Sequence, residues 1–242
     1  MSVIDRFGLE RDPWLSAVLA RFAWRVTMEP SGTPLAELRA SGLQFATAKL
    51  SAADTSSVNA LESFGFRVVD TALSFDADAV VSVDPDSRVR FARADDAHEV
   101  EAVAGAAFRF SRFHLDRAIP VDLAHRMKAE WAANWFRGTR GDGMIVAEDA
   151  GRVAGFLQLL WSRDGRLVID LIGVAAGSRA RGLARAMIGL AARQGTGDSR
   201  RPNGLRVGTQ AANVPSVRLY ESLGFRLSDS QYVLHFHGGA AQ

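Results

Sequence analysis

The chain has 242 residues, 48% of them hydrophobic, with 29 basic against 27 acidic side chains, a formal net charge of +2 and no cysteine. That length and apolar content supply a core for one large domain or two small ones, and the absence of cysteine excludes a disulfide frame, a thiolate zinc site and a cysteine nucleophile. No apolar run approaches the roughly 20 residues of a membrane helix, and Asp5, Arg6, Glu10, Arg11 and Asp12 stand where a secretion signal would be apolar, so a cytoplasmic protein without a membrane partner is expected.

In chain order, residues 29–34 (Glu-Pro-Ser-Gly-Thr-Pro) read as a loop, and residues 43–50 and 68–75 read as strands on either side of a helical stretch over 57–67. Residues 82–87, with Pro85 between two aspartates, read as a linker. A strand is expected over 88–93. Asp95 and Asp96 then offer an N-cap to a helix over 97–108, where Val100, Val103, Ala104 and Ala107 recur at helical spacing. A second helix is expected over 121–136, with Met127, Trp131, Trp135 and Phe136 as its core-facing stripe. Residues 144–148 and 153–161 form a hairpin about Asp149-Ala150-Gly151-Arg152. An apolar strand over 167–174, an amphipathic helix over 183–194, a strand over 205–210 and a helix with its closing turn over 213–226 complete the chain.

The loop Arg179-Ala180-Arg181-Gly182-Leu183-Ala184 lies between the strand at 167–174 and the helix at 183–194. A loop that opens a helix leaves about four amides unpaired and adds about half a positive charge there. Phosphate oxygens satisfy both. Gly182 and Ala184 keep the backbone approachable, and Arg179, Arg181 and Arg185 surround it with charge. Residues 1–87 hold seven basic and twelve acidic side chains, whereas residues 88–242 hold 22 and 15. The second half is therefore the anion binder. Its basic residues are dispersed and lack interleaved aromatic platforms, which favours a small anionic ligand over nucleic acid. The five histidines show no metal-ligand spacing, and no metal is expected.

The chain also resembles itself. Residues 57–67 match residues 216–226, 159 positions later, at seven of eleven places. The flanking strands correspond as well, which reads as two copies of one strand–helix–strand–hairpin unit. The copies differ where chemistry would occur. The acid and two prolines of residues 29–34 replace the Arg/Gly loop and remove donors, and Leu61 stands where the second copy has Tyr220.

The pattern Arg-x-x-Gly-x-Ala, the preceding hairpin and the run Asn213-Val214-Pro215 through Gly224-Phe225 together resemble the GNAT acetyltransferases. The resemblance implies an α/β GNAT fold, a mixed central sheet with flanking helices, preceded by a partial degenerate GNAT-like unit. The corresponding division is a non-catalytic unit over 1–84 and a complete acetyltransferase domain over 88–237. Phe110-Ser111-Arg112-Phe113, Arg137-Gly138-Thr139, residues 205–210, Asn213 and Tyr220, with the tandem layout, further resemble the bacterial dTDP-fucosamine acetyltransferases.

This resemblance implies acetyl-CoA as co-substrate and direct transfer to a primary amine in a ternary complex, with a dTDP-linked amino sugar as the leading small-molecule acceptor. Arg179, Ala180, Arg181, Gly182, Leu183, Ala184 and Arg185 would hold the diphosphate, and Asn213 the CoA arm. The amides at Ile172, Gly173 and Val174 would orient the thioester. Tyr220 corresponds to the family's general acid. A phenol near pKa 10 facing a thiolate near 8.5 makes full proton transfer uphill by about 2 kcal/mol, so a hydrogen bond to the developing thiolate is an equal account of its role. Arg112 is read either as a diphosphate contact or as a bridge to a carboxylate. His114 and Asp170 are alternative proton relays for the amine, each with a purely structural alternative, and Gln210 is a further acceptor contact. Another small amine, a peptide N-terminus, or a silent acyl-CoA sensor stand as the rival functions, and a homodimer is compatible with all of them.

Overall fold

The structure, a computed structural model, describes residues 7–27, 33–34, 42–78, 83–198 and 200–238. Residues 29–32 of the acidic loop and Ser82 of the linker lie outside the described residues. The described strands are β1 (Gly8–Arg11), β2 (Ala23–Thr27), β3 (Thr33–Pro34), β4 (Phe45–Ser51), β5 (Arg67–Ala77), β6 (Val89–Phe91), β7 (Gly143–Asp149), β8 (Arg152–Trp161), β9 (Leu167–Val174), β10 (Leu205–Gln210) and β11 (Arg226–His237). They form one mixed sheet in the order β3-β1-β2-β4-β11-β5-β10-β9-β8-β7-β6. The described helices are α1 (Pro13–Leu19), α2 (Thr55–Phe64), α3 (Ala97–Ala107), α4 (Arg112–Leu115), α5 (Val121–Phe136), α6 (Leu183–Gln194) and α7 (Val214–Ser222).

Strand alternation assigns the two faces of the sheet. On one face, Leu183, Met187 and Ile188 of α6 and Tyr220 of α7 pack on Ile169, Val207 and Phe75, and Val58 and Leu61 of α2 pack on Ala46, Ala48 and Leu234. On the other, Val100 and Val103 of α3 and Ala132 of α5 cover Met144, Val146 and Phe156, while Leu15 of α1, Phe113 of α4 and Met127 of α5 cover Phe45. Each such large side chain contributes about 1.5–3 kcal/mol on leaving water.

The segment β4–α2–β5 has the same element order as β10–α7–β11. The helix ends are built alike: Asp54 and Asn213 accept from the amides of Ser57 and Ser216, and Gly65 and Gly224 take positive φ just past the helices. In space the two segments interleave. β11 lies between β4 and β5, and β5 lies between β11 and β10, antiparallel to both.

The hairpin β7–β8 turns at Ala150 and Gly151, both with positive φ, as a two-residue loop requires. One detail differs from expectation at the start of α3. Asp96 does not cap the helix through its first amides; its carboxylate takes the Arg93 amide at 2.7 Å and both ends of the Arg90 guanidinium at 2.8 Å. A half-buried, bidentate arginine is a stronger partner than a helix amide, so it claims the acid.

Two irregularities shape the middle of the sheet. The parallel pairing of β9 with β10 covers only Leu167 to Ile169 against Leu205 to Val207, and the edge of β9 from Asp170 onward faces a gap. Opposite that point a bulge interrupts the β8–β9 register between Gln158/Leu171 and Leu159/Ile169, with Asp170 as the extra residue.

Candidate active site

The gap between β9 and β10 opens into a cavity of about 580 Å³. Its wall includes Ile172, Gly173 and Val174 from β9, Arg179, Ala180, Gly182, Leu183, Ala184 and Arg185 from the loop and start of α6, and Gln210, Asn213 and Tyr220 from β10 and α7. The residues expected to hold a thioester and a diphosphate thus meet at one place, with one exception. Arg181 turns away, its Nη1 lying 2.7 Å from the Asp149 carboxylate, which Ser178 also reaches at 2.7 Å.

The loop is built for an anion by its backbone. Ala180 sits at φ 60° and Gly182 at φ 82°, a sharply turned backbone that lines the cavity at Ala180 and from Gly182 to Arg185. An alanine in the left-handed region stores roughly 1–2 kcal/mol, the kind of strain that concentrates at functional sites. Among the described residues no acceptor is found for the amides of Ala180 through Arg185; the first helical bond of α6 runs from Ala186 to Gly182. A Cβ on Gly182 would meet nothing within 4 Å, so the space above it is free for a ligand. Arg179 reaches back to the carbonyls of Val174 and Ala107 at 3.2 and 2.7 Å, tying the end of β9 to the end of α3 and holding its charge beside the cavity.

At the gap, the β9 backbone from Asp170 to Val174 is paired on its β8 side alone. Unpaired buried backbone groups are rare, and here a carbonyl ligand can take them. Gly173 is demanded by packing, since a Cβ there would lie 2.9 Å from the Phe156 ring.

Tyr220 is 2% exposed, between the rings of Phe75 and Phe225. Burial pushes its phenol well above the ordinary tyrosine range, and the hydrogen bond with Ser216 only partly offsets that. It is therefore a protonated donor at every ordinary pH. Asn213 lines the cavity while its side chain accepts from the Ser216 amide at 3.4 Å and donates to Thr209 Oγ1 at 3.3 Å.

The acceptor-side residues fare differently. Asp170 is fully engaged: Arg140 grips it with Nε at 2.8 Å and Nη2 at 2.6 Å, and Trp131 Nε1 donates at 2.9 Å. It is thereby a positioned member of a network. His114 Nδ1 lies 2.6 Å from Ser111 Oγ, and its Nε2 is buried without a partner. Burial first, then His125 and Lys128, pulls its pKa down to about 4, so the ring is neutral. Arg112 makes no ion pair among the described residues; its one hydrogen bond goes to Thr47 Oγ1 at 3.5 Å.

Two groups escape a reading by local spacing. Lys128 lies in the α5 stripe between Ala124 and Ala132, 8% exposed, its ammonium 4.8 Å from the Phe108 and Trp131 rings. Its only sequence signal is a lysine at a core-facing helical position. The second group corrects the expectation of no metal-ligand spacing among the histidines: the fold brings His235 and His237 onto Asp116 Oδ2 at 2.6 and 2.7 Å. Both rings contact that single oxygen, and Arg21 stands 3.4 Å from His237 Nδ1, so the trio is arranged as a hydrogen-bonded latch between the α4–α5 connection and β11.

Comparison with known proteins decides the family. The acetyltransferase (GNAT) family model matches residues 109–225. A dTDP-fucosamine acetyltransferase of Escherichia coli is 30% identical over 215 residues, 87% of this chain and 89% of that one. The chain belongs to the GNAT family. A second relative, a spore coat polysaccharide biosynthesis protein of Bacillus subtilis, is 32% identical over 144 residues, 60% of this chain, and the chain spans only 48% of its length. Among solved structures, a GCN5-related N-acetyltransferase from Kribbella flavida shares the fold with a TM-score of 0.59 at 15% identity, covering 91% of this chain and 83% of that one. The β9–β10 gap and the loop into α6 lie within the matched region.

Proposed function

We propose that the protein is an acetyl-CoA-dependent N-acetyltransferase acting on the primary amine of a nucleotide-linked amino sugar by direct transfer in a ternary complex. The observation that carries this reading is the single cavity in which the unpaired amides of Ala180 to Arg185, the open edge of β9 and the Tyr220 side chain converge. Those amides, with Arg179 and Arg185, suit a diphosphate, and Asn213 suits the amide-bearing arm that follows it.

Acetyl-CoA supplies the activated acetyl thioester. The amides along Ile172 to Val174 hold its carbonyl oxygen and stabilise the charge that develops there. The acceptor nitrogen forms a bond to the acetyl carbon as the carbon–sulfur bond breaks, the nitrogen's surplus proton passes through water to the departing sulfur, and Tyr220 donates a hydrogen bond to that sulfur as it leaves. The amine must shed its proton first. Asp170 is taken up by Arg140 and Trp131, and His114 is a weak base whose Nε2 is buried, so the ammonium's proton passes to solvent before attack and the two side chains act by shaping the acceptor side. The sugar assignment draws on the relatives, one named a dTDP-fucosamine acetyltransferase and the other a polysaccharide biosynthesis protein. We further read residues 1–84 as a non-catalytic partial copy of the unit completed by residues 88–237, supported by the matched helix caps of α2 and α7.

The test is mass analysis of products after incubation with acetyl-CoA and a panel of amines: dTDP-linked amino sugars, the free sugars and short peptides. A mass gain of one acetyl group confined to the nucleotide-linked sugars is expected. Acetylation of peptides alone would overturn the acceptor assignment.

A further inference from the structure

The α4 and α5 side of the sheet holds cations that, among the described residues, have no carboxylate in direct ion-pair contact. In the register of β4, β11 and β5, Lys49 is opposite Val233, and Val233 is opposite Asp70, so Lys49 and Asp70 share one face and one cross-strand row. Thr47, two residues from Lys49, accepts from Arg112 at 3.5 Å. The Arg112 guanidinium otherwise rests 4.6 Å from the ring of Phe113, and Lys128 comes to the same region from α5. These three cations sense one another: after burial, Arg112 is the next influence lowering the pKa of both Lys49 and Lys128.

Among the described residues none of the three forms an ion pair, whereas Arg90, Arg140 and Arg206 each bind a carboxylate at 2.6–2.8 Å. Arg112 and Lys128 are the desolvated members, and buried cations left in this way are unfavourable unless an anion joins them; Lys49 stands at their exposed margin. Asp70 is the one carboxylate that acts on both Lys49 and Arg112; its Oδ2 is buried without a partner, and burial holds its pKa up at about 6. Asp12 also acts on Arg112 and Asp170 on Lys128, but neither pairs with its cation directly, and Asp170 is already held by Arg140. Its position adjoins the cavity: Phe108, against the Lys128 ammonium, and Ser111, against His114, both line it. Gln210 of the cavity wall pairs with Ala72, two residues along β5 from Asp70.

We propose that Lys49, Arg112 and Lys128 form a cradle for the phosphoryl groups of the acceptor, so that the leading segment of the chain, through Lys49, supplies part of the acceptor site. A diphosphate ester offers several oxygens to three cations that lack a paired carboxylate, and the arginine fork fits phosphate oxygens. This inference rests on the transferase reading above.

The experiment is calorimetric titration of dTDP, thymidine and inorganic pyrophosphate into the full chain saturated with acetyl-CoA, so that the cofactor's own diphosphate site is filled. Lys49 is exposed, so Lys49→Met leaves the melting temperature unchanged and serves as the probe. Expected are dTDP binding at least tenfold tighter than thymidine, competition by pyrophosphate, a tenfold or greater weakening of dTDP in Lys49→Met, and recovery in Lys49→Arg. Pyrophosphate binding as tightly as dTDP, with the same dependence on Lys49, would assign the cradle to the phosphoryl groups alone and also support it. Equal binding of dTDP and thymidine, or dTDP binding indifferent to Lys49→Met, would overturn the cradle while acetyl-CoA binding still upholds the transferase. Acetyl-CoA that fails to bind would instead overturn the transferase reading itself.

Discussion

Tyr220 is where the chemistry and the packing of single residues meet. Its phenol is enclosed by Phe75 and Phe225 and kept protonated by burial, so removal of the hydroxyl takes away a donor and little else. Tyr220→Phe should lower kcat tenfold or more and leave the acetyl-CoA Kd within about twofold; unchanged kcat in steady-state assays would remove the role. Asp70 makes a different prediction. Its folded pKa, about 6, lies above its ordinary value because burial disfavours the charge. Such a group contributes stability that is fully present below the unfolded pKa, near 4, and lost as pH rises through about 6. Asp70→Asn should therefore raise the melting temperature at pH 8 and have little effect at pH 4. The gain, after discounting for solvent screening, is on the order of 1 kcal/mol, and a shift of equal size at both pH values would contradict it. His114, with its pKa near 4, acts in the opposite sense over pH 4 to 6.5, so the comparison must be made variant against parent at each pH.

At the scale of elements, the site is a consequence of where β9 and β10 stop pairing and of how α6 begins. Gly182→Asp places a side chain and a negative charge into the open space over unpaired amides, at a φ of 82° that side chains rarely adopt. Calorimetry should show acetyl-CoA affinity falling at least a hundredfold, about 2.7 kcal/mol, with the fold retained by circular dichroism; undiminished affinity would move the cofactor elsewhere. Much at this scale is legible in the sequence. The helical periods over 121–136 and 183–194 and the short strand over 205–210 coincide with α5, α6 and β10, because amphipathic spacing is a local signal. The Arg-x-x-Gly-x-Ala loop is legible for the same reason. The grip of Arg140 on Asp170 spans 30 residues, and the meeting of Asp116 with His235 spans 119. Local periodicity carries no record of such pairs, so Asp170 reads as a proton relay or a structural strand residue with no partner named, and the histidines as scattered.

Over the whole molecule, the two similar segments do not stand side by side but exchange neighbours in one sheet. The internal similarity of residues 57–67 and 216–226 is visible in the sequence, whereas the insertion of β11 between β4 and β5 is a matter of long-range register that no local pattern specifies. Since β5 bridges β10 and β11, a fragment of residues 83–242 would expose two long strand edges. It should show no cooperative melting transition by circular dichroism, while the full chain melts in one; a stably folded fragment would contradict this. The most direct measurement of the central claim is a crystal structure with acetyl-CoA bound. The expected result places the diphosphate on the amides of Ala180 to Arg185 and the thioester carbonyl in the β9–β10 gap, with Tyr220 toward the sulfur. A diphosphate bound anywhere else on the protein would contradict it.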